Sequence, residues 1–127
     1  MPFDNLNRAP FGDLDLLMDA RSRISGRDSW EQGQFRDGER ECLVAALSVV
    51  SGSRSFSMPN PTERRLARIL AAHLTSRQFW TRIMLIPVRR RLIMFNDDPR
   101  TRHNDILALF DRAIDCVTSE QTVYISA

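Results

Sequence analysis

Residues 96–110, Asn-Asp-Asp-Pro-Arg-Thr-Arg-His-Asn-Asp-Ile-Leu-Ala-Leu-Phe, run from a polar, proline-stiffened loop straight into an amphipathic helix. The helix half decides the fold class. Ile106, Leu107, Leu109, Phe110, Ala113, Ile114 and Val117 recur at i, i+3, i+4 and i+7, the spacing of one buried helical face. They predict a helix over 102–117 with Thr101 as its cap. The loop half sets Asp97, Asp98 and Arg100 beside a helix N-terminus, where unpaired N–H groups and the macrodipole favour negative charge.

Helical signals continue upstream. Asp13 caps a helix over 14–25 with Leu14, Leu17, Ala20 and Ile24 on one face, Gly26 at its end, and Asp19 one turn from Arg23. A second helix is expected from Glu39 to Ser51. It has no charged side chain between Cys42 and Val50, so it reads as the central, buried one. Asn60-Pro61-Thr62-Glu63 is a strong start signal for a third, which carries Leu66, Ile69, Leu70, His73 and Leu74. Ser76–Ile86 forms another helical segment broken at Pro87, and 88–95 a short helix. The expectation is an all-α, compact single-domain bundle of five or six short helices, with polar loops at 26–38 and 96–101. An irregular arm over 1–12 precedes the helical domain at 13–118, and an extended tail over 119–127 follows it.

Composition sets the outer bounds. A chain of 127 residues, 43% hydrophobic and 27% charged, suits one globular domain with its own core. The longest uncharged stretch, Cys42–Ser53, is too short to span a bilayer, and Met1–Asn5 lack the basic and apolar regions of an export signal. Cytoplasm is the expected location, with Cys42 and Cys116 as reduced thiols. Net charge is +2, and all 18 cations are Arg. They are scattered along the chain, which fits codon usage better than a dedicated anion-binding surface.

An ordered set of short motifs runs through the chain. It comprises Trp30-x-Gln32-Gly33, Cys42-Leu43 opening an Ala-rich helix, Asn96-Asp97-x-x-Arg100-Thr101, and Asp105-Ile106-x-x-Leu109-x-x-Ala113-Ile114. The set resembles an uncharacterised family of small bacterial and phage domains of unknown function, over residues 14–115. Phe95 stands where that pattern has Trp, and Ala46 where a Gly often follows the Cys. The resemblance implies a compact α-helical domain and brings no activity with it.

Three functional readings compete. In the first, Phe79, Trp80, Arg82, Met84, Arg89, Arg90 and Arg91 form an apolar, Arg-rich contact surface within 77–95, on a small accessory or regulatory protein that binds another protein or its own copy. In the second, Arg82, Arg89, Arg90 and Arg91 form a nucleic-acid-binding face, although the mild net charge and crowded apolar residues of that segment suit a DNA helix poorly. In the third, Trp30, Gln32, Asn96, Asp97, Arg100 and Thr101 enclose a small polar-ligand or enzymatic pocket. The competing view of those residues is an Asp97–Arg100 lock covered by Trp30.

Catalysis is not expected. A thiol-based set would need Cys42 at a helix start with His73 or His103 and Asp97. Against it, the Leu-Val-Ala run after Cys42 argues for burial, His73 lies on an apolar face, and His103 sits in an exposed first turn. No metal-ligand spacing, no glycine-rich phosphate loop and no cofactor signature is present.

Overall fold

Leu43 to Ser48 are all buried, and the helix they belong to, α2 (Leu43–Ser51), is the hub of the fold. The computed structural model describes the backbone of residues 2–74 and 86–126, and the side chains of 12–74 and 86–120. Around α2 lie α1 (Pro2–Arg23), a hairpin of β1 (Arg36–Asp37) and β2 (Arg40–Glu41), α3 (Pro61–Ala71), α4 (Val88–Asp97) and α5 (His103–Ser126). Helix α2 packs on α1, α3 and α4, while α5 closes the bundle against α1 and α3.

One core joins these faces: Leu17, Ala20 and Ile24 from α1, Leu66 and Leu70 from α3, Leu92 and Phe95 from α4, and Ile106, Leu109, Phe110, Ala113 and Val117 from α5. Each fully buried Leu among them contributes about 2 kcal/mol of transfer free energy. Leu107 and Ile114, which also fit the helical template, are only half-buried at the edge of that face.

Local chemistry explains the helix starts. Asn60 Oδ1 accepts the Glu63 N–H at 2.8 Å, with Pro61 at the first position of α3, as its sequence predicts. The return half of the capping box is absent. The Asn60 N–H goes to Ser53 Oγ instead, and the Glu63 carboxylate turns inward.

Several expectations need correction. Helix α2 begins at Leu43, not Glu39, because Gly38-Glu39 makes a two-residue hairpin turn that pairs Arg36 with Glu41 and Asp37 with Arg40. Gly38 sits at φ 62°, the left-handed conformation required at the first position of a type II′ turn. Helix α4 runs on through Asn96 and Asp97, so the polar corner before α5 is shorter than 96–101. Thr101 is buried but is not the side chain that satisfies the start of α5; the Arg102 N–H is taken by Asp105 Oδ2 at 2.8 Å. Arg23 ignores Asp19 and pairs with Glu41 across 18 residues, because the hairpin carries Glu41 to the end of α1.

Both terminal helices are longer than their apolar periodicity suggests. Helix α1 reaches back to Pro2 through the stretch read as an irregular arm, and α5 continues to Ser126 through the stretch read as an extended tail. For α5, each residue added to the nucleated helix adds a hydrogen bond at little cost, so backbone helix outlasts the buried stripe. The extension of α1 runs through Pro10, which supplies no N–H, and propagation does not account for it. Residues 76–85 of the expected Ser76–Ile86 segment lie outside the described residues, which resume at Ile86.

Candidate functional site

The sequence places Trp30, Gln32 and Gly33 in one loop and Asn96 and Asp97 some sixty residues later; the fold interlocks them. Asn96 is fully buried on the last turn of α4 and all four of its amide hydrogen-bonding positions are filled. Its Oδ1 accepts from Trp30 Nε1 at 2.7 Å and from the Leu43 N–H at 3.1 Å. Its Nδ2 donates to the Glu31 carbonyl at 3.1 Å and to Asp97 Oδ1 at 2.9 Å.

Gln32 completes the interlock. Its Nε2 donates to the carbonyls of Asn96 at 2.9 Å and Asp98 at 2.8 Å, which supplies donors at the helix end where carbonyls lack helical partners. Gly33 brings its own N–H to Asp97 Oδ1 at 2.9 Å from a backbone φ of 93°, a conformation that side-chain-bearing residues rarely adopt. Trp30 then stacks on His103, ring centroids 5.5 Å apart and planes 3° from parallel, and His103 Nε2 meets the Ile24 carbonyl at the end of α1. His103 is therefore half-buried, not the exposed first-turn residue its position suggests.

Arg100 stays outside this cluster. It pairs with Asp98 at 3.1 Å, not with Asp97, and its side chain is 76% exposed. The Arg100 guanidinium and N–H hold the Asp98 carboxyl below the usual carboxylate range. Proximity in sequence made Asp97 and Asp98 equivalent partners. The 2.9 Å contact from Gly33 takes Asp97 away.

Cys42 belongs to the same unit in an unexpected role. It is the N-cap of α2, with Sγ accepting the Ala45 N–H at 3.3 Å while Asn96 serves the Leu43 N–H. Burial pushes the thiol up, against the smaller downward pull of the Ala45 and Val44 N–H groups and of Arg89; the Asp97 charge adds to the rise. A thiol with a raised pKa stays protonated at neutral pH, and reactivity appears only as pH climbs past that value. A thiol-specific reagent at neutral pH is expected to modify half-exposed Cys116 in the native protein and Cys42 only on unfolding. Equal native rates at the two thiols would contradict the capped, neutral Cys42.

The arginine-rich candidates separate by element. Phe79, Trp80, Arg82 and Met84 lie outside the described residues. Arg89 faces inward: its Nε binds Glu63 Oε2 at 2.8 Å, its Nη2 binds the Phe56 carbonyl, and its guanidinium lies 5.4 Å from the centre of the Phe35 ring. Arg91 is half-buried, and of the triplet Arg90 alone is exposed. The triplet on α4 therefore presents no continuous basic face.

Sequence reading overlooked three buried carboxylates gripped by arginine. Glu41 is held by Arg23 and Arg36, Glu63 by Arg89, and Asp13 by Arg65 at 2.8 Å through Nε. Acidic residues beside apolar runs, Glu41 before Cys42-Leu43 and Glu63 before Leu66, were the available signal, since a buried carboxylate requires a partner.

Trp30, Gln32, Gly33, Cys42, Asn96 and Asp97 of the motif set thus form a hydrogen-bonded joint between the Trp30–Gly33 loop, the start of α2 and the α4–α5 corner. No curated protein and no solved structure matches this chain. A family profile does match, over residues 10–115, and by that match the chain belongs to the family of unknown function DUF6197.

Proposed function

We propose that this protein is a small accessory domain that acts by binding another protein, with the outer face of α4 as part of the contact surface. The observation that carries this reading is the composition of that face. Pro87, Arg90 and Met94 are exposed at successive turns, Ile93 is half-exposed between them, and Met94 is one of three large apolar side chains open to solvent among the described residues. Arg90 has no ion-pair partner among the described residues. Methionine and arginine together are side chains favoured at interfaces, because one adapts its shape and the other offers several donors on a weakly hydrated group.

The joint around Asn96 supports a binding role over catalysis. Its polar atoms satisfy one another, and its thiol is a neutral cap. A cytoplasmic setting remains part of the proposal; no helix among the described residues is long and apolar enough to cross a membrane.

The test is photo-cross-linking from position 94 in the full chain, followed by mass spectrometry, with size-exclusion chromatography and light scattering alongside. A dominant cross-linked protein, lost with Arg90→Glu, is the expected result. A cross-link to the chain itself would make the partner a second copy. A monodisperse monomer with no specific cross-link would overturn the proposal.

A further inference from the structure

An open groove of about 370 Å³ lies beside the C-terminal half of α2, built from side chains that take no part in the joint or in the α4 face. Its volume falls within the range of small-ligand sites. Helix α2 contributes Ser48 and Val49, the loop after it Arg54 and Phe56, and the hairpin Arg36.

Two features of this groove bear on what it can hold. Ser48 is 1% exposed and its Oγ has no hydrogen-bond partner, although buried hydroxyls are nearly always paired. Arg54 is exposed and has no ion pair among the described residues, so its guanidinium is open to a ligand in the groove.

The charged side chains lining the groove, Arg36 and Arg54, are both cations. Glu41 is shared between Arg23 and Arg36, two cations on one anion, and Arg54 adds another. The end of α2 does not oppose this strongly, because the Ser48 and Val49 carbonyls already accept the N–H groups of Ser53 and Gly52. The Arg36 guanidinium lies over the Phe56 ring, 5.9 Å from its centre, and Phe35 packs on that ring at 5.7 Å, so a cation and an aromatic edge meet in one concavity.

From this juxtaposition we infer that the groove binds a small aromatic anion, its carboxylate or phosphate between Arg54 and Arg36 and its ring against Phe56 and Val49. Either half alone is weak. An exposed ion pair is screened by water and salt, and a single ring contact is worth little without the charge to orient it.

The experiment is an amide NMR titration of the full chain at low salt with phenyl phosphate, benzoate, inorganic phosphate and benzyl alcohol. Saturable shifts at Ser48, Val49, Arg54 and Phe56 are expected with phenyl phosphate or benzoate, and binding about tenfold weaker with the two half-ligands. Which of the first two binds more tightly tells phosphate from carboxylate. Arg54→Ala is expected to weaken binding about tenfold with an unchanged Tm, since that exposed side chain makes no hydrogen bond or ion pair among the described residues, and Arg54→Lys to keep part of the affinity. Shifts that fail to saturate, inorganic phosphate binding as well as phenyl phosphate, or an unaltered Kd in Arg54→Ala would overturn the assignment. These outcomes are independent of what binds the α4 face.

Discussion

Asn96→Ala is expected to lower the stability of the domain by about 4 kcal/mol, a large share of the 5–15 kcal/mol typical of a folded domain. The reason is the number of partners left behind. Truncation strands the Trp30 indole N–H, the Leu43 N–H at the start of α2 and the Glu31 carbonyl, all at a residue that water does not reach. Each stranded buried group costs on the order of 1–3 kcal/mol, and the costs overlap because relaxation at one relieves the others. Urea unfolding followed by far-ultraviolet circular dichroism measures the loss, with Asn104→Ala on the exposed face of α5 as the control expected within about 0.5 kcal/mol of the parent. Equal midpoints for the two variants would remove the joint from the list of things that hold this fold together.

Asn96→Asp sharpens the same point. It keeps both acceptor positions but loses two donors, and it sets a carboxylate against the Glu31 carbonyl and Asp97. That environment raises the folded-state pKa of the new carboxyl above its unfolded value. The variant should therefore be closest to the parent in mild acid and lose stability as pH rises through the unfolded pKa and up to the folded one. A pH-independent deficit would mean that the Glu31 carbonyl and Asp97 do not drive the new carboxyl toward its protonated form.

What could be read from the sequence follows the range of the interactions. The start of α3 at Asn60-Pro61 and the burial of Leu43–Ser48 are local matters of capping and composition, and both were legible. The hairpin was missed because strands of two residues carry no periodicity, and Asp37-Gly38 was the sole signal for it. Trp30, Gln32 and Asn96 could be singled out as a recurrent motif, and whether their loops touched could not. That depended on α2 bringing the Leu43 N–H between them. Asp97 and Asp98 lie three and two residues before Arg100, both within reach of its guanidinium, and only the position of Gly33 separates them. The direction of the arginines was the least legible feature, because consecutive residues of a helix point about 100° apart and only the packing of α4 on α3 says which one faces in.

Arg89 and Arg90 turn that last point into a measurement. Both belong to a triplet that looks uniform in sequence, yet Arg89→Ala is expected to cost about 3–5 kcal/mol and Arg90→Ala within about 0.5 kcal/mol of nothing. Removing the Arg89 guanidinium leaves the Glu63 carboxylate, fully buried, with Ser53 Oγ at 2.9 Å as its remaining hydrogen-bond donor, and frees the Phe56 carbonyl and the Phe35 ring as well. Because that network also ties down the loop ahead of α3, limited proteolysis should cut Arg89→Ala between Gly52 and Asn60 sooner than the parent. Replacing both partners, Arg89→Met with Glu63→Met, should recover most of the loss, since an apolar pair of similar volume leaves no buried charge behind. The contrast matters for any binding assay on α4. A triple Arg→Ala variant would lose its partner by unfolding, whereas Arg90→Glu leaves the core intact and tests the surface alone. Should Arg89→Ala and Arg90→Ala unfold at the same urea concentration, Arg89 would not be a structural residue, and the triplet would again be a candidate contact face in its entirety.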